Sequence, residues 1–327
     1  MAKGEFIVSL DFELFWGVFD KKTISSYGQN VLGAREIIPK ILDFFQKYGI
    51  HATWATVGCL FAEEKNELLE FIPSVKPQYE NEELSMYKYL ETVGENETVD
   101  PYHYGKSLLK LIKAVENQEI GTHTFSHYYC KEKGQTKEAF ADDLNAAKNI
   151  AKNLGVDVVS LVLPRNQFTE ESFLIAKECG FIAVRGNPAG KHYNTNKNIF
   201  ARIIRKLDSY LGISGKKCYS RAELVQNGIV DVKASYFLYP YNRKLCFLEK
   251  LKVFCVKKQM RIAAKKGKVF HLWWHPHNMG VNKEKNLNQL ESILKEYKKL
   301  QAKYGFESKN MGEISRELLN ENSVALQ

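Results

Sequence analysis

The sequence predicts an α/β protein, a parallel sheet with helices outside it, either closed into a barrel or left open. Three observations predict this. Short apolar runs alternate with segments of helical periodicity along most of the 327 residues. Polar residues collect just after those runs, the edge at which parallel α/β architectures assemble their sites. A hydrophobic content of 44% with 26% charged residues describes a globular chain long enough to bury a large core.

The elements follow in order. Residues 6–10 are a short apolar run rich in β-formers and read as a buried strand. Ile37, Ile38, Ile41, Leu42 and Phe45 recur at helical spacing, so 34–48 reads as an amphipathic helix in which Pro39 fits only in the first turn. Residues 51–58 form the next strand. A helix marked by Leu108, Leu109, Leu111, Ile112 and Val115 leads to a strand at 119–122. The following helix, 139–154, is closed by Gly155 as its C-terminal cap. A strand at 158–163 stops at Pro164. Thr169 caps the next helix, with Glu170 and Glu171 in its first turn, and that helix ends at Gly180. Strands at 181–184 and 269–274 and a closing helix at 287–300 complete the pattern. The stretches 65–105 and 187–228 are irregular and read as insertions over the strand ends. No repeat, low-complexity tract or linker divides the chain, so a single catalytic domain spanning 1–327 is expected.

Charge and cysteine usage narrow the class. The formal net charge of +9 favours anionic partners, yet no nucleic-acid-binding motif accompanies it. Residues 243–268 concentrate lysine and arginine with Leu245, Leu248, Leu251, Phe254 and Ile262 interleaved. Such a segment is either a helix lying on an anionic membrane surface or a barrel helix with a solvated lysine face. The six cysteines form no Cys-x-x-Cys pair, and free thiols are expected. Cys130, three residues after His127, is either a soft metal ligand or a small half-buried side chain. No apolar run is long enough for a transmembrane helix. The N-terminal apolar stretch is too short for a signal-peptide core and is interrupted by Asp11. A cytoplasmic enzyme is expected, with peripheral contact at the inner membrane face if the basic segment binds lipid.

The chemistry-bearing residues fall at the strand ends. Asp11 and Glu13 follow the first strand, His123 and His127 the third, Arg165 the fourth, and His275 and His277 the last. His123 and His127, at i and i+4, share one face of a helical turn, where both imidazoles can bind one metal ion. The bland alternative is a pair satisfied by hydrogen bonds near a helix start. One carboxylate with two imidazoles makes a metal site with positions open to water and substrate. A second carboxylate and a further histidine would supply a base and an acid.

Taken together these stretches resemble the polysaccharide deacetylase (NodB-homology) family of carbohydrate esterases. Glu119-Ile-Gly-Thr-His-Thr-Phe-Ser-His127 is similar to that family's His-[Ser/Thr]-x-x-His motif. Residues 51–58 resemble its second strand, and Thr169 to Phe181 the helix and strand after its third motif. The resemblance covers most of 5–185 and a further stretch at 267–278. It implies a distorted, incomplete (β/α) barrel of about seven strands, short of the closed eight-stranded form. It also implies metal-dependent removal of an N-acetyl group from an amino sugar. The implied roles are metal ligation by His123, His127 and Glu13, general base for Asp11, general acid for His275, and orientation of the base by Arg165. Zn²⁺ is the expected ion, with Co²⁺, Ni²⁺ or Mn²⁺ as alternatives.

The chain departs from the family pattern in three places. Phe12 stands where a second aspartate usually follows the first, so Glu13 must reach the metal or else orient a histidine. Arg165 follows its proline instead of preceding it. The fourth motif has no clean counterpart, and Asp208 is the candidate partner of His275. Trp16, Trp273 and Trp274 flank motif residues and either stack on pyranose rings or pack in the core. Trp16 and Trp274 are the expected platforms, with His277 and Asn166 as further substrate contacts. Charge and compartment together suggest a nucleotide- or lipid-linked, phosphate-bearing precursor in cell-surface polysaccharide biosynthesis. Hydrolysis of a small non-sugar amide, or a catalytically silent glycan-binding module, are the alternative readings.

Overall fold

The structure, a computed structural model, describes residues 3–188, Tyr210 and 217–325. Ten strands among these residues form one sheet: β1 (Glu5–Phe12), β2 (Ala52–Thr56), β3 (Gln118–Thr122), β4 (Ser160–Val162), β5 (Ala183–Arg185), β6 (Val225–Gln226), β7 (Ile229–Asp231), β8 (Tyr236–Phe237), β9 (Val269–Trp274) and β10 (Glu307–Lys309). Their order is β6-β7-β5-β4-β3-β2-β1-β9-β8, with β10 beside the start of β1. Every pairing is parallel except the β6–β7 hairpin. Its turn residues Asn227 and Gly228 take φ of 50° and 80°, the left-handed pair that a two-residue turn of this kind requires. The sheet curls into an incomplete barrel. It exceeds the expected seven strands by β6, β8 and β10, which have two or three residues each and too little apolar sequence to announce themselves.

Side-chain alternation sorts each central strand into two faces. On β1, Phe6, Val8, Leu10 and Phe12 turn outward into the core shared with the helices, whereas Ile7 joins a smaller interior cluster. Ser9 and Asp11 share the parity of Ile7 and face the interior. On β9, Phe270, Leu272 and Trp274 are outward and Val269 inward, so His271 and Trp273 point into the barrel. The C-terminal helix Met311–Ala325 fills the lower interior through Met311, Ile314 and Leu318. Parallel register brings the C-terminal ends of β1, β3, β5 and β9 to one edge: Leu10 pairs with Trp274, Phe12 with Thr56, Thr56 with Thr122, and Val162 with Arg185.

Two expectations need correction. The first helix spans Ile24–Tyr48, ten residues longer than its periodicity indicates, because Thr23 and Ser26 form a capping box ahead of the apolar stripe. Pro39 therefore lies inside it. An interior proline costs about 3 kcal/mol or more, offset by the buried face of Ile37, Ile38, Ile41, Leu42 and Phe45. Residues 123–127 are not a helical turn. They form a loop in which Thr124 and His127 have φ of 66° and 57°. The basic segment does form a helix, Cys246–Lys266, and it packs against helix Lys283–Tyr304. The 65–105 stretch carries the short helices Lys65–Glu70 and Met86–Tyr89, and most of 187–228 lies outside the described residues. No described helix is long and apolar enough to cross a membrane.

Candidate active site

One half of the site is a carboxylate facing two imidazoles. Glu13 follows the last residue of β1, and the chain then turns sharply at Leu14, whose φ is 46°. Glu13 Oε2 lies 3.2 Å from His123 Nε2 and 3.1 Å from His127 Nε2, with all three side chains buried. Helix Lys137–Lys152 holds the histidine loop in place. Its buried Asp143 accepts from the Phe125 and Ser126 amides at 2.7 and 3.1 Å and from the Ser126 hydroxyl. His127 Nδ1 meets the Tyr129 hydroxyl at 2.9 Å.

The hydrogen bonds of the two histidines show which ring nitrogens face Glu13. His123 Nδ1 lies 2.8 Å from the carbonyl oxygen of Val162. A carbonyl only accepts, so Nδ1 carries a proton and Nε2 is the ring atom turned to Glu13. Burial lowers the His127 pKa to about 4 despite the nearby Glu13. Burial opposes the charge on Glu13, yet His275, His123 and His127 outweigh it and hold its carboxyl well below the usual range. Both Nε2 atoms thus face the same Glu13 oxygen, at 3.2 and 3.1 Å. The three ligand atoms lie within 4.8 Å of one another. This donor set, two imidazoles and one carboxylate, fits a divalent transition metal.

The second half is built around Asp11. Arg185, at the end of β5, donates to both its oxygens, Nη1 at 2.6 Å and Nη2 at 2.8 Å. The guanidinium is fully enclosed and lies 4.0 Å from the Trp273 ring centroid. Arg185 Nη1 also donates to Ser9 Oγ at 3.0 Å. Ser9 in turn sits 2.8 Å from His271 Nε2, and His271 Nδ1 donates to the Val232 carbonyl at 2.9 Å. The Val232 contact fixes the His271 tautomer, so Ser9 is the donor to His271 and the acceptor from Arg185. Burial raises the Asp11 carboxyl, but Arg185, His123 and His275 outweigh it and leave it below its ordinary value.

His275 joins the two halves. Its Nε2 is 3.6 Å from both Asp11 Oδ2 and Glu13 Oε1, and its side chain keeps 21% exposure, open to an incoming substrate. Asn278 lies 3.3 Å from its Nδ1, and the Tyr27 hydroxyl donates to Asn278 at 2.8 Å. His277 Nε2 is also 3.6 Å from Glu13 Oε1.

The structure thus brings Asp11, Glu13, His123, His127, His275 and His277 together. It moves several other expected roles. The arginine on Asp11 is Arg185, not Arg165. Residues 164–166 leave the sheet in a 3-10 turn with Arg165 at φ 53°, which carries its side chain to Asp20 and over the Tyr129 ring at 4.3 Å. Trp16 and Trp274 are core residues, not platforms. Trp16 is buried against Phe19, Tyr89 and His103 and donates to the His103 carbonyl, while Trp274 packs on Phe45 from the outer face of β9. Asn166 is half-buried and accepts from Arg185 at 3.3 Å, which ties it to the arginine that holds Asp11. His277 is buried against Glu13 and Tyr27. Cys130 is buried and burial pushes its thiol up, which disfavours the thiolate needed for ligation. Asp208 lies outside the described residues. Sequence reasoning missed Arg185, Ser9 and His271 as parts of the site, although each shares parity with, or closes, a strand that delivers a site residue.

The profile of the polysaccharide deacetylase family matches residues 18–184, a stretch that contains His123 and His127. Among solved structures, one from Mycobacterium smegmatis assigned to the polysaccharide deacetylases is similar over 98% of this chain and 95% of its own, at 11% identity and a TM-score of 0.59. Another so assigned, from Pseudomonas aeruginosa PAO1, covers 95% of this chain and 89% of its own, at 11% identity and a TM-score of 0.52. A 4-alpha-glucanotransferase from Thermococcus litoralis also reaches 0.52, at 14% identity, over 96% of this chain and 40% of its own. These likenesses establish the fold, and the transferase among them illustrates that the fold alone does not select the chemistry. No curated protein sequence matches the chain.

Proposed function

The chain belongs to the polysaccharide deacetylase family, whose members are hydrolases of the amide C–N bond in N-acetylated sugars, and from that premise we propose that Asp11, His275 and the Glu13–His123–His127 cluster carry out such a deacetylation here. The observation that supports this most is the position of His275, 3.6 Å from each of the two carboxylates, with an exposed edge toward substrate. Glu13, His123 and His127 would hold a divalent ion, Zn²⁺ or a related metal. When bound, such an ion supplies Lewis-acid polarisation of the acetyl carbonyl and a lower pKa for water.

The protein's own groups divide the proton work. Asp11, kept ionised by Arg185, takes a proton from the water that attacks the acetyl carbon. The Ser9–His271 pair and the Trp273 ring hold the guanidinium, and with it the carboxylate, in one orientation. His275 gives a proton to the nitrogen as the C–N bond breaks, because an amide nitrogen leaves poorly without one. Water is consumed, and acetate and a free amine are released. We take the substrate to be a phosphate-bearing glycan precursor, nucleotide- or lipid-linked and met in the cytoplasm. The net charge of +9 supports that choice.

The test is acetate release from a panel of free, nucleotide-linked and lipid-linked N-acetylated sugars, with Asp11→Asn and His123→Ala alongside wild type. Release that both substitutions abolish is expected. Full activity after exhaustive chelation, or no release from any sugar with metal supplied, would sink the reading.

A further inference from the structure

Helix Cys246–Lys266 has an outer face that the site chemistry does not use. Because β8 and β9 are parallel, the chain must cross back between them, and this helix makes the crossing from the site edge of the sheet. Its one acidic residue, Glu249, is turned inward, where it lies 2.6 Å from the equally buried Lys252. The outward side carries Phe247 at 73% and Phe254 at 53% exposure. Seven residues apart, they lie on one face, separated by about 10 Å along the helix. They are the only aromatic residues among the exposed large hydrophobics of the described residues. Lys244, Lys250, Lys258 and Lys265 are exposed beside them, and none meets a carboxylate among the described residues.

Two exposed rings, framed by free ammonium groups and with no outward acid, match the interface of an anionic bilayer. The rings enter the acyl boundary and the ammonium groups meet lipid phosphates. A single-stranded nucleic acid would instead be held in a concave channel, and this surface is the convex side of one helix. We propose that this face docks the protein on anionic phospholipid membranes, with Phe247 and Phe254 inserted and the four lysines on the headgroups.

Docking would also bear on substrate supply. Phe237 of β8 lies 5.4 Å from the His275 ring, and residues 238–245 lead from there to Phe247. The inserted end of the helix is thus the end nearest the candidate site. Only this last step, delivery of a lipid-linked substrate, rests on the deacetylase reading. The docking itself does not.

The experiment is sedimentation of the full chain with vesicles of phosphatidylcholine alone and of phosphatidylcholine with phosphatidylglycerol, at low and high salt. Binding only to the anionic vesicles, weakened by salt, is expected. Each Lys→Ala change at the four positions should weaken binding roughly fivefold, and Phe247→Ser with Phe254→Ser should weaken it at least about tenfold. Leu174→Ser, at an exposed position on helix Glu170–Glu178, should leave it unchanged. No binding to anionic vesicles overturns the proposal. So does binding that survives the double phenylalanine change, or tighter binding to an oligonucleotide of equal phosphate content. Acetate release from a free N-acetylated sugar, measured on the same proteins, separates the two ideas. Release kept by a variant that no longer sediments supports the surface, and sedimentation by a wild type that releases no acetate supports it while removing the deacetylase reading.

Discussion

Replacing Arg185 with methionine tests the geometry of the proposed base, Asp11, most directly. The guanidinium is fully enclosed, donates to both Asp11 oxygens at 2.6 and 2.8 Å and stacks on Trp273. Methionine fills much of that volume but brings neither charge nor donor, so Asp11 is left as a buried carboxylate without its counter-charge. Breaking a buried pair from one side costs about 3–5 kcal/mol. With an unfolding entropy of roughly 2.1 cal/mol/K per residue over the whole chain, that corresponds to a Tm lower by roughly 4–7 °C. The proton balance gives a second readout. Burial raises the Asp11 pKa, and Arg185 is the largest of the influences that bring it below 3.8. Without Arg185 the carboxyl titrates higher, and because a base works unprotonated, the acid limb of kcat/KM moves to higher pH. The sign for stability follows from the same shift. A carboxyl with a depressed folded pKa stabilises above its unfolded value of 3.8, and that contribution is lost as pH falls through the folded value. The Tm deficit of the variant should therefore be full at neutral pH and shrink in acid. Acetate release against pH, with Arg165→Met in parallel, is the assay. An unmoved acid limb in Arg185→Met, or a shift of equal size in Arg165→Met, would show that Asp11 is not held as described.

Glu13→Gln and His123→Ala should each remove bound metal as read by elemental analysis. A ligand at 100 times its Kd adds about 2.7 kcal/mol, so chelation should lower the Tm of wild type and leave both variants unmoved, and a wild-type Tm indifferent to chelation counts against the metal. His275→Gln should lower kcat on an acetamide about 10²–10⁴-fold with metal content intact. It should cost far less on an aryl acetate, whose leaving oxygen needs no proton, and equal losses on both would remove His275 from the acid role. Burial, and after it Arg185, lowers the His271 pKa to about 3 from 6.5. The unfolded chain alone takes up that proton between the two values, so stability should fall with pH there by up to about 1.4 kcal/mol per unit from this residue. Denaturant melts of His271→Gln should show a shallower slope between pH 4 and 6.5, and an unchanged slope refutes the assignment.

Much of the site was legible because strands deliver side chains with a period of two. Ser9, Asp11 and Glu13 share one parity, and His271, Trp273 and His275 share another, so each set emerges on the interior face of its strand. The same rule, applied strictly, would have chosen Trp273 over Trp274 as the tryptophan at the site. The arginine was harder. Arg165 and Arg185 both close apolar strands, and what separates them is the conformation after the strand. Arg165 stands one residue beyond Pro164 in a left-handed turn, whereas Arg185 is still a strand residue facing inward. Backbone geometry of that kind depends on what the loop packs against, here Asp20 and Tyr129, which are distant in sequence. The histidine pair shows the opposite case. The i, i+4 spacing correctly joined His123 and His127, but through a loop tied to Asp143 and not through a helical turn.

The displaced second carboxylate also has a physical explanation. Residue 12 is the last regular position of β1, and its parity is outward: Phe12 meets Trp54 edge-on at 6.3 Å within the helix-side core. A carboxylate there, in a strand that keeps this geometry, would be buried among hydrocarbon without a partner, at a cost of several kcal/mol. At position 13 the inward parity is restored and the chain is already free of the sheet. A glutamate can then sit beside two histidines that enter from β3. That placement requires the following turn to close tightly over the carboxylate, and Gly17 provides the room. A Cβ on residue 17 would lie 2.0 Å from Glu13 Cδ, so any side chain there would push the glutamate off His123 and His127. The Asp-Phe-Glu order and the glycine four residues later are therefore one structural device. It keeps both carboxylates on the interior face while the residue between them remains part of the core.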